Sequence, residues 1–160
     1  IKKRKKKNID RGGIMLSGSS FGLEVNLKKD LSYHLDIIGR DKPINTTTKS
    51  NYTFHGKIID NTNLLNNIDF CIVNGGYSAL SELYWAKIPM VVIPIPNHSE
   101  QWINATQIKI GGCGIISSND NYENDLQNLL KNFEMYENNY EIINETRDGA
   151  EEAKDIILNI

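Results

Sequence analysis

The chain is poor in cysteine and proline and carries no long apolar run. Its 160 residues include 2 Cys and 4 Pro. That excludes a disulfide scaffold, a collagen-like repeat and a proline-rich low-complexity protein. No apolar stretch approaches the roughly 18 residues that span a bilayer. The longest, Ile88 to Pro96, suits a buried strand. Lys2 to Lys7 resembles the basic start of a secretory leader, but no apolar segment follows it. There is no C-x-x-C pair for redox or zinc chemistry. The P-loop pattern G-x-x-x-x-G-K-[ST] and the full G-x-G-x-x-G fingerprint are also missing.

What is present describes one soluble globular domain, with 39% hydrophobic and 24% charged residues. Cys71 and Cys113 lie in apolar stretches, as buried free thiols of a reducing, cytoplasmic compartment do. The net charge is −2, but it is unevenly spread. Residues 1–30 hold nine Lys/Arg, whereas residues 120–160 hold eleven Asp/Glu. The basic run Lys2 to Lys7 reads first as a solvated arm or interdomain linker over residues 1–12, ahead of a domain at 13–160. Its second reading is contact with an anionic membrane surface on the inner face. With an acidic domain and no nucleic-acid-binding motif, no nucleic-acid partner is expected. The opening Ile1 leads us to expect a fragment of a longer protein.

Apolar runs alternate with helical patterns. Strands are predicted at 14–17, 33–39, 52–56, 68–73, 89–94 and 113–116. Helices are predicted at 22–31, 61–67, 77–87, 97–110, 121–133 and 137–158, with caps near Asp60 or Asn61 and a capping box from Asn97 to Glu100. The central strands are apolar throughout rather than alternating. That predicts an α/β, Rossmann-like doubly wound parallel sheet covered on both faces. Ligands of such sheets bind beyond the carboxyl ends of the strands, so the loops after Ser17, Val73 and Pro94 are the ones to inspect.

Two of these loops suit anions. Gly18-Ser19-Ser20-Phe21-Gly22 and Asn74-Gly75-Gly76 each precede a helix, whose free N–H groups and dipole favour negative charge. Ser78 and Glu82 stand four apart at the start of one helix, so they share a face. The serine hydroxyl could reach a phosphate there, and the carboxylate could accept two hydrogen bonds from a ribose diol. A capping serine and a solvated glutamate explain the same pair. His98, Gln101 and Asn104 run along one flank of the next helix, where the amides suit a neutral polyol. His98 has no second ligand at metal spacing, so no metal is expected.

Residues 68–115 carry a resemblance. Gly75-Gly76, Ser78 to Glu82, Lys87-Ile88-Pro89, Val91 to Pro94 and Gln101 to Ala105 follow one another in order. They resemble the carboxyl-terminal half of GT-B glycosyltransferases, closest to the bacterial UDP-N-acetylglucosamine transferase group of glycosyltransferase family 28. The UDP-glucuronosyltransferases are similar more loosely. The Gly18 to Gly22 loop falls where that family has its first phosphate loop.

The resemblance implies transfer of a sugar from a nucleoside diphosphate donor, UDP by family default, with inversion and without a metal or other cofactor. No Asp-x-Asp occurs to suggest otherwise. Gly76, Tyr77 and Ser78 would hold the diphosphate, with Ser19 and Ser20 approaching from the other loop. Glu82 would bind the ribose, and Gln101 with Asn104 the transferred sugar. The base would lie near Phe54 to Ile58. The general base and the acceptor site would belong to an amino-terminal domain or separate subunit, so this chain alone is expected to be inactive. Two alternatives are a nucleotide-sugar hydrolase of the same fold and a non-catalytic subunit that recruits a membrane-bound partner. Three positions depart from the pattern. Asn74 stands where relatives carry a phosphate-binding His or Arg. Lys87 replaces the usual Gly, which is tolerable at negative φ. The first loop lacks a Gly-Gly-Ser run.

Overall fold

The computed structural model of the chain describes residues 8–16, 32–39, 51–142 and 149–158. All six predicted strands form: β1 (Arg11–Met15), β2 (His34–Ile38), β3 (Tyr52–Gly56), β4 (Phe70–Val73), β5 (Met90–Val92) and β6 (Gly114–Ile116). Every pairing is parallel, and the order is β3-β2-β1-β4-β5-β6. That is the order of a Rossmann-like doubly wound sheet, in which the chain reverses its winding between β1 and β4. The first strand starts at Arg11, so the sheet begins inside the stretch read as an arm or linker. The predicted helix at 22–31 and the Lys2 to Lys7 run lie outside the described residues.

Both faces of the sheet are buried, which is why the strands show no alternation. Ile14, Leu35, Ile37, Phe70, Ile72 and Val91 enter one core. There they meet Leu126 and Leu129 of α4 (Tyr122–Lys131) and Tyr136 of α5 (Phe133–Ile142). Their strand neighbours Met15, Ile38, Cys71, Val73, Met90 and Val92 enter the other. It is closed by α1 (Thr62–Leu65), α2 (Tyr77–Trp85) and α3 (Ser99–Ile110). The final helix is α6 (Gly149–Leu158). Of the predicted 137–158 helix, residues up to Ile142 belong to α5, which starts earlier, at Phe133, and Gly149–Leu158 form α6; residues 143–148 lie outside the described residues. Among the described residues no helix is long and apolar enough to cross a membrane.

Helix ends explain two further corrections. Asn97 does not form a capping box. It adopts φ 62°, a left-handed conformation that Asn tolerates, and α3 starts after His98, which makes no side-chain cap bond. Lys87 does not keep a negative φ either; it sits at 58°. The amide of Ile88 donates to Leu83 O at 3.0 Å and that of Lys87 to Tyr84 O at 3.0 Å, so α2 ends in a Schellman turn whose left-handed position usually holds Gly. At the end of α3 that role falls to Gly112, φ 65°.

Polar groups tie the layers together. Tyr140 of α5 donates to Ile88 O at 2.9 Å, and Asn139 donates to Gly112 O at 2.7 Å. Burial pushes the Tyr140 phenol pKa upward. Asp36, fully buried in the middle of β2, accepts from both Nε and Nη2 of Arg11 on β1, the latter at 2.9 Å, and from His55 on β3 at 2.6 Å. His34 Nε2 lies 3.8 Å away and bonds Thr53. Burial pushes the Asp36 carboxyl pKa up, but the hydrogen bonds from Arg11 and His55 and the Arg11 charge more than reverse this and hold it below its ordinary value. Cys71 and Cys113 are free and buried, as expected, and burial raises the Cys113 thiol to about 11.

Candidate functional site

The reversal between β1 and β4 opens a cleft of about 400 Å³ at the carboxyl ends of the strands. One wall is Met15 and Leu16 at the end of β1, with Ile38 and Gly39 at the end of β2. Lys57, Ile58 and Asn61, between β3 and α1, form a second wall. The third is Val73 and Asn74 with the first two turns of α2, namely Gly76, Ser78, Ala79 and Glu82. The cleft is therefore apolar at its base, with polar groups converging at the α2 end, the usual make-up of a small-molecule site.

The sequence explains how α2 comes to face the cleft. Its N-cap is Gly76, extended at φ −68° and ψ 132°, with no side-chain cap bond. The amide of Leu80 is the first to find an intrahelical carbonyl, donating to Gly76 O at 3.1 Å. The amides before it lack such partners, and together with the helix dipole they present positive potential. A Cβ at Gly76 would meet nothing within 4 Å, so its backbone is open to approach. Ser78 and Glu82 are exposed on the same stretch, and Glu82 Oε2 accepts from Asn61 Nδ2 at 3.1 Å.

The residues before and below this turn hold it in place. A Cβ on Gly75 would come 2.6 Å from Gln101 O. Gln101 is buried, and its Oε1 accepts from Gly75 N at 3.2 Å and Ile95 N at 3.0 Å. Asn104 donates to Gly75 O at 3.1 Å. Asn74 is buried and donates to Ile93 O at 3.0 Å.

Of the residues singled out from sequence, the structure gathers Asn74, Gly76, Ser78 and Glu82 along the cleft. Gly75, Gln101 and Asn104 stand directly behind them. His98 and Tyr77 are exposed and do not line it. Ser19 and Ser20 lie outside the described residues. Sequence reasoning missed Asn61 as a partner of Glu82 and Asp36 as a buried hub. In sequence Asn61 has the signature of a helix cap alone, and Asp36 is one polar residue inside a strand pattern. Among the described residues no cluster of three or more His, Cys, Asp or Glu could hold a metal.

The family described as Glycosyltransferase family 28 C-terminal domain matches residues 31–160. The chain belongs to that family. A UDP-N-acetylglucosamine–N-acetylmuramyl-(pentapeptide) pyrophosphoryl-undecaprenol N-acetylglucosamine transferase of Prochlorococcus marinus strain NATL1A is 35% identical to this glycosyltransferase domain over 72 residues. The match takes in 43% of this chain and 20% of that protein. An uncharacterized glycosyltransferase of Methanopyrus kandleri, MK0977, is 41% identical over 44 residues, 28% of this chain and 13% of that protein. The domain thus spans a small part of these relatives. Among solved structures, the glycosyltransferase SnogD from Streptomyces nogalater superimposes with a TM-score of 0.72 at 18% identity, over 96% of this chain and 43% of that one. Acinetobacter baumannii MurG does so at 0.60 and 19%, over 85% and 45%. At those identities the likeness is one of fold: the GT-B carboxyl-terminal half.

Proposed function

We propose that the chain is the donor-binding half of a glycosyltransferase that moves a sugar from a nucleoside diphosphate, UDP, to an acceptor held by an amino-terminal domain or subunit. One observation carries this reading: the cleft at the sheet reversal ends on a helix start with a bare glycine, followed on one face by Ser78 and Glu82. The diphosphate lies against the amides of Gly76 to Ser78, with the Ser78 hydroxyl donating to it. Glu82 accepts from the ribose hydroxyls, and the base lies against Lys57 and Ile58. As the glycosidic bond breaks, negative charge grows on the leaving diphosphate. The amides and the α2 dipole are already oriented to meet it, so no reorganisation is needed. Asn74 adds no charge there, since it is neutral and spends its amide on Ile93. Gln101 has its oxygen engaged by two backbone amides and offers the sugar its Nε2 hydrogens. The general base comes with the acceptor half, so the isolated chain turns over little.

The test is a titration with UDP, with ADP, GDP and TDP as controls, read by calorimetry and by NMR shifts at Gly76, Ser78 and Glu82. Selective UDP binding, unchanged by EDTA, is expected. Glu82→Ala should weaken it by about 1.5 to 3 kcal/mol, the worth of a charged hydrogen bond. Equal binding of all four nucleotides, or unchanged affinity in a folded Glu82→Ala variant, would sink the assignment.

A further inference from the structure

Asn61 spends its side chain in an unusual way. It occupies the N-cap of α1, where Asn ordinarily accepts from the helix amides, yet it makes no side-chain cap bond. Asp60 does that work, its Oδ1 accepting from Thr62 N at 2.9 Å. Asn61 instead donates from Nδ2 to Glu82 Oε2 at 3.1 Å, across the cleft wall from α1 to α2. Its Oδ1 is buried with no hydrogen-bond partner among the described residues. A buried acceptor without a donor is a net cost to the fold. The side chain therefore serves neither its own helix nor, on balance, stability, and its one described hydrogen bond goes to a carboxylate of the candidate site.

From this we infer that Asn61 is a positioning residue for Glu82, a role that rests on the donor-site reading above. Unrestrained, an exposed glutamate samples several rotamers, and a ligand must bear the entropy of fixing one. The Asn61 bond occupies Oε2 and turns the carboxylate toward the cleft, leaving Oε1 and a remaining lone pair for the vicinal hydroxyls of a ribose. The residue thus acts through Glu82 on diol-bearing ligands and not on the diphosphate. It also couples the segment that walls the base region, Lys57 to Asn61, to the helix that meets the phosphates.

The experiment is calorimetry on the complete protein, both halves present, with UDP and 2′,3′-dideoxy-UDP. It compares wild type, Asn61→Leu, Glu82→Ala and the double variant, with melting temperatures alongside. Asn61→Leu should weaken UDP binding five- to ten-fold. It should leave dideoxy-UDP affinity within two-fold and have less than a two-fold effect in the Glu82→Ala background. Its melting temperature should equal or exceed that of wild type, because the orphan oxygen is gone. A lowered melting temperature with unchanged UDP affinity would make Asn61 a structural residue and overturn the inference. So would equal weakening toward both nucleotides. UDP binding that needs Glu82 but ignores Asn61 overturns this inference alone, whereas a wild type that does not bind UDP overturns the donor-site reading as well.

Discussion

Gly75 and Gly76 are adjacent, yet the space around them differs. A methyl group at Gly75 would press on the carbonyl of Gln101 at 2.6 Å, a backbone atom that cannot swing away. Gly75→Ala should therefore cost about 2 kcal/mol of stability, as overpacking does. At Gly76 the space is empty and φ is −68°, a conformation any residue adopts. Gly76→Ala should leave stability within about 0.5 kcal/mol of wild type. If the diphosphate lies against this backbone, the same methyl group should reduce UDP affinity about ten-fold. Denaturant titration beside calorimetry separates the two glycines: one a packing residue, the other a residue open to ligand. Normal UDP affinity in Gly76→Ala would move the phosphates away from this turn.

At the scale of the element, α2 shows a mismatch between sequence and backbone. Its C-terminal turn needs a left-handed residue so that Ile88 can bond back to Leu83, and the chain supplies Lys87. The side chain makes that conformation cost about 1 kcal/mol relative to glycine. Part of the gain from substitution is lost to the greater freedom of glycine in the unfolded chain. Lys87→Gly should therefore stabilise the domain by about 0.5 to 1 kcal/mol, seen as a melting temperature about 2 to 4 °C higher. A lower melting temperature would mean that Lys87 makes a compensating contact. Since α2 also presents Ser78 and Glu82 at its other end, the variant should leave the cleft unchanged.

For the whole molecule, Asp36 joins β1, β2 and β3 through Arg11 and His55, on one side of the sheet reversal. Its folded-state pKa lies below the ordinary 3.8, so the unfolded chain takes up the proton first as pH falls. The stabilisation is complete above the ordinary carboxyl range and is lost as pH drops through the lowered folded value. Asp36→Asn should cost about 2 kcal/mol at neutral pH, less than a fully enclosed pair because Arg11 is partly exposed. The gap between variant and wild type should narrow toward pH 3, in melting curves recorded across that range. A gap independent of pH would assign the loss to packing rather than charge.

The sheet was legible from the order of residues: strand-like runs spaced by helical patterns, with the central strands free of alternation because both faces are covered. That Gly76, Ser78 and Glu82 fall together at the start of one helix was legible too, since it follows from chain-local facts: a turn, a helix start, a four-residue spacing. The GT-B family could be read from the order of such motifs. What tertiary structure decided were the pairings between distant segments. Asp36 looks like any polar residue in a strand until Arg11 and His55 close over it, 25 and 19 residues away. Asn61 meets Glu82 across 21 residues, and Gln101 reaches Gly75 across 26. A side chain's partner depends on where the chain returns in space, which local spacing does not encode. The left-handed residue Lys87 is a different case: the return of Ile88 to Leu83 at the end of α2 sets its angle, against the preference of a residue that carries a side chain.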